Sequence, residues 1–270
     1  MDSSTQNPSV SEDWFVTSLD RGLRVLSTFD RDAPMLRVGE VARRTGISRA
    51  AARRFLLTLE SLGYVGCDAE QRYFLKPLAL TLGYSYLASI GTAELVQPIL
   101  DSTMAATGES CSLSILVNNE ILYIARAISA RPVQISVRPG DRLPANATSM
   151  GRVLLSGLSQ EELDHYLDTT EFKAFTDHTI TDPDRLRECI AAVRTQGYAI
   201  VDSEVGNGIV SIAVPVRGPR DEIRAAININ TQTGRKYETD SIRRHLPTLQ
   251  VAADQVGKVL ASLPAAFFRS

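Results

Sequence analysis

The chain has 270 residues, 44% hydrophobic and 22% charged, with a formal net charge of −2. That is the composition of an ordinary globular protein, with length for two domains of about 100–200 residues each. No apolar run approaches the roughly 18 residues that span a bilayer, and the polar, acidic start MDSSTQNPSVSED lacks the basic-then-apolar order of a secretion signal.

Three widely spaced cysteines (Cys67, Cys111, Cys189) suit a reducing cytoplasm without a disulfide framework. Three histidines (His165, His178, His245) share no short spacing with each other or with a cysteine, which argues against a built-in metal site; no cofactor is expected. The charge is unevenly spread. Between Trp14 and Lys76, 11 Lys+Arg face 7 Asp+Glu, a local balance of +4, whereas the tail before it carries three acids. Phosphate attraction needs such a local excess, although a surplus of this size also arises by chance.

Residues 1–14 are expected to be a disordered tail. Ser18 is placed as the cap of a first helix, SLDRGLRVLSTF, with Leu19, Leu23, Leu26 and Val25 or Phe29 as its apolar stripe. A second helix runs from Val38 to Arg44, Gly46 makes the turn, and Ser48 caps a third helix. Tyr64-Val65-Gly66-Cys67 and Tyr73-Phe74-Leu75 flank a polar tip and read as a hairpin. Pro77 closes it, and Leu78–Ser89 is expected to be a helical linker.

The remainder mixes strands and helices. A helix from Thr92 to about Thr107 precedes the strands CSLSILV, ILYIARAI and VQISV. Thr148 caps a helix through Leu155, and Glu161–Leu167 and Asp184–Gln196 are amphipathic helices. The strands YAIVDSEV, SIAVPVR and IRAAININ follow, then a helix from Thr239 to Leu263 that Pro247 must kink or divide.

Projection of the Ser48 helix at about 100° per residue gathers Ala52, Phe55, Leu56, Leu59 and Leu62 on one face. Ala50, Arg53, Arg54 and Ser61 fall on the other, with Arg49 between them. Helix, glycine turn, arginine-bearing helix and hairpin is the order of a winged helix-turn-helix, which lays its third helix in a major groove. Arg37, Arg43 and Arg44 are candidates for phosphate contacts, which position the protein without specifying sequence. Arg72 at the wing tip either reaches DNA or is an idle surface charge. Leu57 falls on the polar side without an explanation.

In the second half, the Thr148 helix starts with backbone N–H groups of Ser149, Met150 and Gly151 unpaired, at the positive end of the helix dipole. Such a start favours a carboxylate, and Asn146, Thr148 and Ser149 add donors. Equally, Thr148 or Ser149 only caps the helix and Gly151 only lets it pack. Asn228 and Asn230 share one face of their strand. Two inward amides are costly unless paired, so that face meets either solvent or a polar ligand. Arg126 is a further anion partner, unless a surface acid pairs with it.

SLDRGLRVLSTF, VGEVARRTGISRAAARRFLLTLESLGYV and FLKPLALTLGYSYLAS resemble the IclR-type bacterial transcription regulators. The likeness is to the subgroup that controls protocatechuate and 4-hydroxybenzoate catabolism, and RLPANATSMGRVLLSGL extends it into the second half. The resemblance implies an α+β fold with four parts. These are the tail (1–14), a winged helix-turn-helix domain (15–77), a helical linker (78–90) and a GAF-like α/β effector-binding domain (91–270). The DNA contacts expected from the helix projection and the wing are Arg37, Arg44, Ser48, Arg49, Ala50, Arg53, Arg54 and Arg72. For the effector the resemblance implies Asn146, Ala147, Thr148, Ser149 and Met150, faced by Asp202, Ser211, Asn228 and Asn230.

The implied partners are a palindromic duplex operator, a small organic-acid effector and a second copy of the chain, as homodimer or dimer of dimers. No membrane partner is implied. One departure is Val205-Gly206-Asn207-Gly208-Ile209-Val210, where the subgroup often carries acids and an arginine. No nucleophile elbow, phosphate loop or dinucleotide fingerprint appears, and Cys111 has no placed histidine. A cytoplasmic regulator is therefore expected rather than an enzyme. The alternative is a DNA-binding regulator whose second domain answers to a protein.

Overall fold

The computed structural model describes residues 14–30, 32–82, 92–130, 137–232 and 242–261. The chain divides into two compact units, residues 1–87 and 88–270. The expected tail up to residue 13, most of the linker (83–90) and the strand VQISV before Val137 lie outside the described residues, as do both ends of the last predicted helix.

The first unit contains helices α1 (Thr17–Leu26), α2 (Val38–Thr45) and α3 (Arg49–Ser61), then strands β1 (Val65–Cys67) and β2 (Tyr73–Leu75). Gly46 ends α2 with φ +69°, a conformation that disfavours any Cβ. The Ser48 hydroxyl accepts the Ala51 N–H at 3.2 Å and so caps α3. Val25, Phe29, Leu36, Val41, Ala42, Ala52, Leu56, Leu59, Val65 and Tyr73 form one core. Each large aliphatic member stabilises the unit by about 1.5–3 kcal/mol through burial.

Three expectations change here. Helix α1 begins before Ser18, with Val16 in the cap position and no side-chain cap. Leu19 and Leu23 are 61% and 51% exposed, so only Val25 and Phe29 of that stripe are core. Leu62 is exposed because α3 ends at Ser61 and the chain turns away there. The wing also gains a third member, since Leu36 and Tyr73 exchange backbone hydrogen bonds at 2.9 and 2.8 Å.

The second unit runs α4 (Thr92–Thr107), β3 (Ser110–Val117), β4 (Glu120–Ala127), β5 (Arg142–Pro144), α5 (Ser149–Ser156), α6 (Gln160–Thr169) and α7 (Pro183–Gln196). It continues with β6 (Ala199–Asp202), β7 (Ile209–Arg217), β8 (Ile223–Gln232) and α8 (Leu246–Ala261). The strands form one antiparallel sheet in the order β5-β4-β3-β8-β7-β6. Helix α8 starts at Leu246, with Pro247 in its first turn, where a missing N–H costs nothing.

The register decides what each face of the sheet carries. Cys111 pairs with Ile229 and Leu113 with Ile227, while Ile212 and Val214 lie opposite the same two isoleucines. This all-apolar face packs against α4 and α8. Burial there pushes the Cys111 thiol up to about 12, so it stays protonated at neutral pH. The opposite face carries Ser112, Ser114, Asn228, Asn230, Ser211, Ala213 and Ala226 by the same pairings, and α5 packs over it. Small and polar side chains at the centre of a covered sheet leave space that larger ones would fill.

Candidate DNA-reading face and effector cavity

In the first unit, α3 presents Arg49, Ala50, Arg53 and Arg54 to solvent. These arginines and Arg43 of α2 carry no ion pair or side-chain hydrogen bond among the described residues. The Arg49 guanidinium lies over Gly39, where a Cβ would sit 3.4 Å from its terminal nitrogen. Capping by Ser48 fixes the first turn, so the free guanidinium groups project from a rigid helix start. Leu57, at 45% exposure, shares the outer surface.

Three other expected DNA contacts are engaged within the unit. Arg37 donates to the Glu70 carbonyl at 2.8 Å, tying α2 to the wing. Arg44 donates to the Thr28 carbonyl at 2.8 Å and to Asp30 at 2.9 Å, which anchors α2 to the end of α1. Arg72 pairs with Asp68 at 2.7 Å and Glu70 at 3.3 Å. The Arg72 backbone N–H and guanidinium hold the Asp68 carboxyl below the usual carboxylate range, and Asp68 raises Arg72 in turn. The wing-tip charge is thus largely balanced locally.

In the second unit, the helix expected to meet a ligand is α5. Thr148 has extended backbone and its hydroxyl accepts the Gly151 N–H at 3.0 Å. The cap therefore occupies one of the three N–H groups expected to be free, leaving those of Ser149 and Met150. Gly151 is required because a Cβ there would overlap the Ala145 carbonyl. Ser149 is 1% exposed and its hydroxyl has no partner. Met150 instead receives the Ser114 hydroxyl at its sulfur, 3.2 Å away, and Asn146 donates to the Ile180 carbonyl at 3.3 Å.

Ala147, Thr148 and Ser149 line a cavity with Tyr123, Val201, Glu204, Val205, Ser211, Asn228 and Asn230. Its volume of about 40 Å³ suits a few water molecules and not an aromatic ring. As described, the cavity is too small for such a ligand. Asn228 and Asn230 are buried at 4% and 8% exposure, and each has a side-chain carbonyl without a partner. Of the two readings of those amides, the solvent-facing one does not hold. Asp202 is exposed, lies on the other side of its strand and accepts the Ser203 hydroxyl at 2.7 Å. It does not reach the cavity, because β6 alternates and Val201 holds the inward position.

The sequence reading missed the strongest polar contact of the unit. Arg152 on α5 donates to both Glu204 oxygens at 2.7 Å and to the Asn146 carbonyl at 3.0 Å. Glu204 also accepts the Ile180 N–H at 3.0 Å. Both side chains are buried. The pair ties α5 to the loop between β6 and β7, the segment where the sequence departs from the subgroup's pattern. A signal for the cavity floor was available: Ser110, Ser112 and Ser114 alternate through a strand otherwise made of apolar residues.

Comparison with known proteins follows the same division. Residues 18–69 match the IclR helix-turn-helix domain, and residues 84–258 match the domain described as bacterial transcriptional regulator IclR C-terminal. The Pca regulon regulatory protein of Pseudomonas putida is 40% identical over 240 residues, covering 88% of this chain and 82% of its own. The p-hydroxybenzoate hydroxylase transcriptional activator of Acinetobacter baylyi is 36% identical over 247 residues, 90% of this chain and 91% of its own. Among solved structures, a double mutant of the PobR inducer-binding domain from Acinetobacter, in complex with 3-hydroxybenzoic acid, superposes with a TM-score of 0.56. It is 32% identical and covers 61% of this chain and 96% of its own.

Proposed function

This chain belongs to the IclR family of bacterial transcriptional regulators, and from that premise we propose that it controls the breakdown of aromatic or related organic acids. It reads a palindromic operator through α3, and a small organic acid bound under α5 resets its affinity for that site. The carrying observation is the capped α3 with three unpaired arginines in its first two turns. The effector assignment draws on the relatives, since one is a p-hydroxybenzoate hydroxylase transcriptional activator and another is an inducer-binding domain in complex with 3-hydroxybenzoic acid.

The proposed parts are a DNA reader at 15–77, a linker at 78–90 and a sensor at 91–270. Two copies form the working unit. An apolar groove on the first unit supports this, lined by Leu19, Leu23, Leu26, Phe55 and Leu82 and about 490 Å³ in volume. The protein works by binding rather than turnover, in the cytoplasm where its DNA lies. No helix of the described residues is long and apolar enough to cross a membrane. Because the cavity is too small for an aromatic ring as described, the effector acts through its different affinity for narrow and widened arrangements.

Selection from a random duplex library by the purified chain should enrich an inverted repeat, and 4-hydroxybenzoate or protocatechuate should change its affinity several-fold. An unenriched library would refute the DNA-reading assignment. An enriched site indifferent to every organic acid would favour a sensor that answers to a protein partner.

A further inference from the structure

Seven buried side-chain nitrogen and oxygen atoms lack a hydrogen-bond partner among the described residues. Six of them belong to Ser112, Arg126, Ser149, Asn228 and Asn230, and the seventh is the Tyr166 hydroxyl. Ser112 lies opposite Arg126 across one pairing and opposite Asn228 across the other, and Ser110 lies opposite Asn230. All therefore stand on the sheet face that α5 covers, and Ser149 looks onto it from the helix start. Folded proteins leave few such groups unpaired, so six gathered at one place mark a polar site that water or a ligand fills.

Arg126 is the telling member. Its side chain is buried, at 8% residue exposure, and neither Nε nor one terminal nitrogen has an acceptor. Burial lowers its pKa against the field of Tyr123, Asp141 and Cys111. Of these, Asp141 is committed elsewhere, accepting the Arg138 N–H at 2.7 Å. Tyr123 is a neutral phenol pushed up to about 12 by burial, and Cys111 is a protonated thiol. Arg152, as deeply buried, shows the normal solution, a bidentate carboxylate. Arg126 has the same need and no resident acid, and guanidinium remains charged at any physiological pH.

We propose that Arg126, which stands with Ser112 on the same sheet face beside the cavity-lining Asn228, is the anion anchor of the effector site, taking a planar carboxylate into its fork. The α5 start and Ser149 then meet the opposite end of the ligand. The unpartnered carbonyls of Asn228 and Asn230 need donors, so the ligand carries a hydroxyl or amine besides its carboxylate. A hydroxylated carboxylic acid satisfies both demands. This assignment rests on the reading of the second unit as an organic-acid sensor and names the residue that fixes the acid's orientation.

The test compares the full chain with Arg126→Met and Arg126→Lys by thermal shift. The probes are 4-hydroxybenzoate, protocatechuate, phenylacetate and a C4–C8 dicarboxylate series, each against its neutral amide. Without ligand, Arg126→Met should melt no lower than the parent, since it removes a buried charge that nothing balances. The carboxylates that stabilise the parent should bind this variant about 10- to 100-fold more weakly, the lysine variant should fall between, and the amides should fail on all three proteins. A much lower melting point for ligand-free Arg126→Met would make Arg126 structural and overturn the proposal, as would undiminished carboxylate binding or equal binding of amides. A parent that answers to dicarboxylates and to no aromatic acid would remove the aromatic reading and leave the anchor standing. A parent that answers to no carboxylate would overturn the anchor.

Discussion

Arginine stands free in both units, and its surroundings give that freedom opposite meanings. On α3, Arg49, Arg53 and Arg54 are unpaired in water, where an isolated guanidinium is well solvated and costs nothing. On β4, Arg126 is unpaired inside a covered sheet, where the same group is expensive. A free surface cation is weak evidence of a partner until its arrangement is considered; a free buried cation is strong evidence by itself. Between these limits lie Arg37, Arg44 and Arg72, which the fold spends on its own carbonyls and carboxylates. Arg152 is buried and paired with a resident carboxylate.

The comparison breaks most readily at Arg152. Replacing Glu204 with Gln leaves that guanidinium buried without a countercharge, and the sensor unit should lose roughly 3 kcal/mol in denaturant titration. A loss below about 1 kcal/mol would mean that water reaches the pair. Next in size is the exposed set. Arg53→Ala with Arg54→Ala should weaken operator binding by about 30- to 1000-fold, at roughly 1–3 kcal/mol for each base-reading contact, with folding stability unchanged within about 0.5 kcal/mol. Unaltered affinity at fixed salt would remove α3 as the reading helix.

The smallest effect belongs to the wing tip. Arg72→Ala should leave operator affinity within about twofold, because Asp68 and Glu70 already neutralise it and exposed ion pairs are weak. The pH dependence of that tip has a definite sign. The folded Asp68 carboxyl sits below its unfolded value, so its contribution is present above the unfolded value and disappears as pH falls through the folded one. In Arg72→Ala this acid-limb dependence should shrink when unfolding is followed between about pH 5 and pH 2; an unchanged limb would show that the backbone N–H alone sets Asp68.

The helix-turn-helix was legible because its signals are local. Gly46, the Ser48 cap and the apolar spacing of Ala52, Leu56 and Leu59 act within a turn or two of helix. Leu19 and Leu23 misled for the same reason: periodicity identifies a stripe without saying what covers it. In the second unit, strand alternation correctly put Asn228 and Asn230 together and Ile227 and Ile229 opposite. The resemblance also offered Asp202, where the strand ends and the inward position belongs to Val201.

By itself, then, the sequence determined the two-part organisation, the helix-turn-helix and the cap of α5, since each depends on residues a few positions apart. Only the tertiary structure decided which charges are already spent. Arg152 meets Glu204 across 52 positions, Arg44 meets Thr28 across 16, and Arg126 meets no acid among the described residues. Whether a charge has a partner depends on packing between distant segments, and hydrophobic spacing along the chain carries no record of that distance.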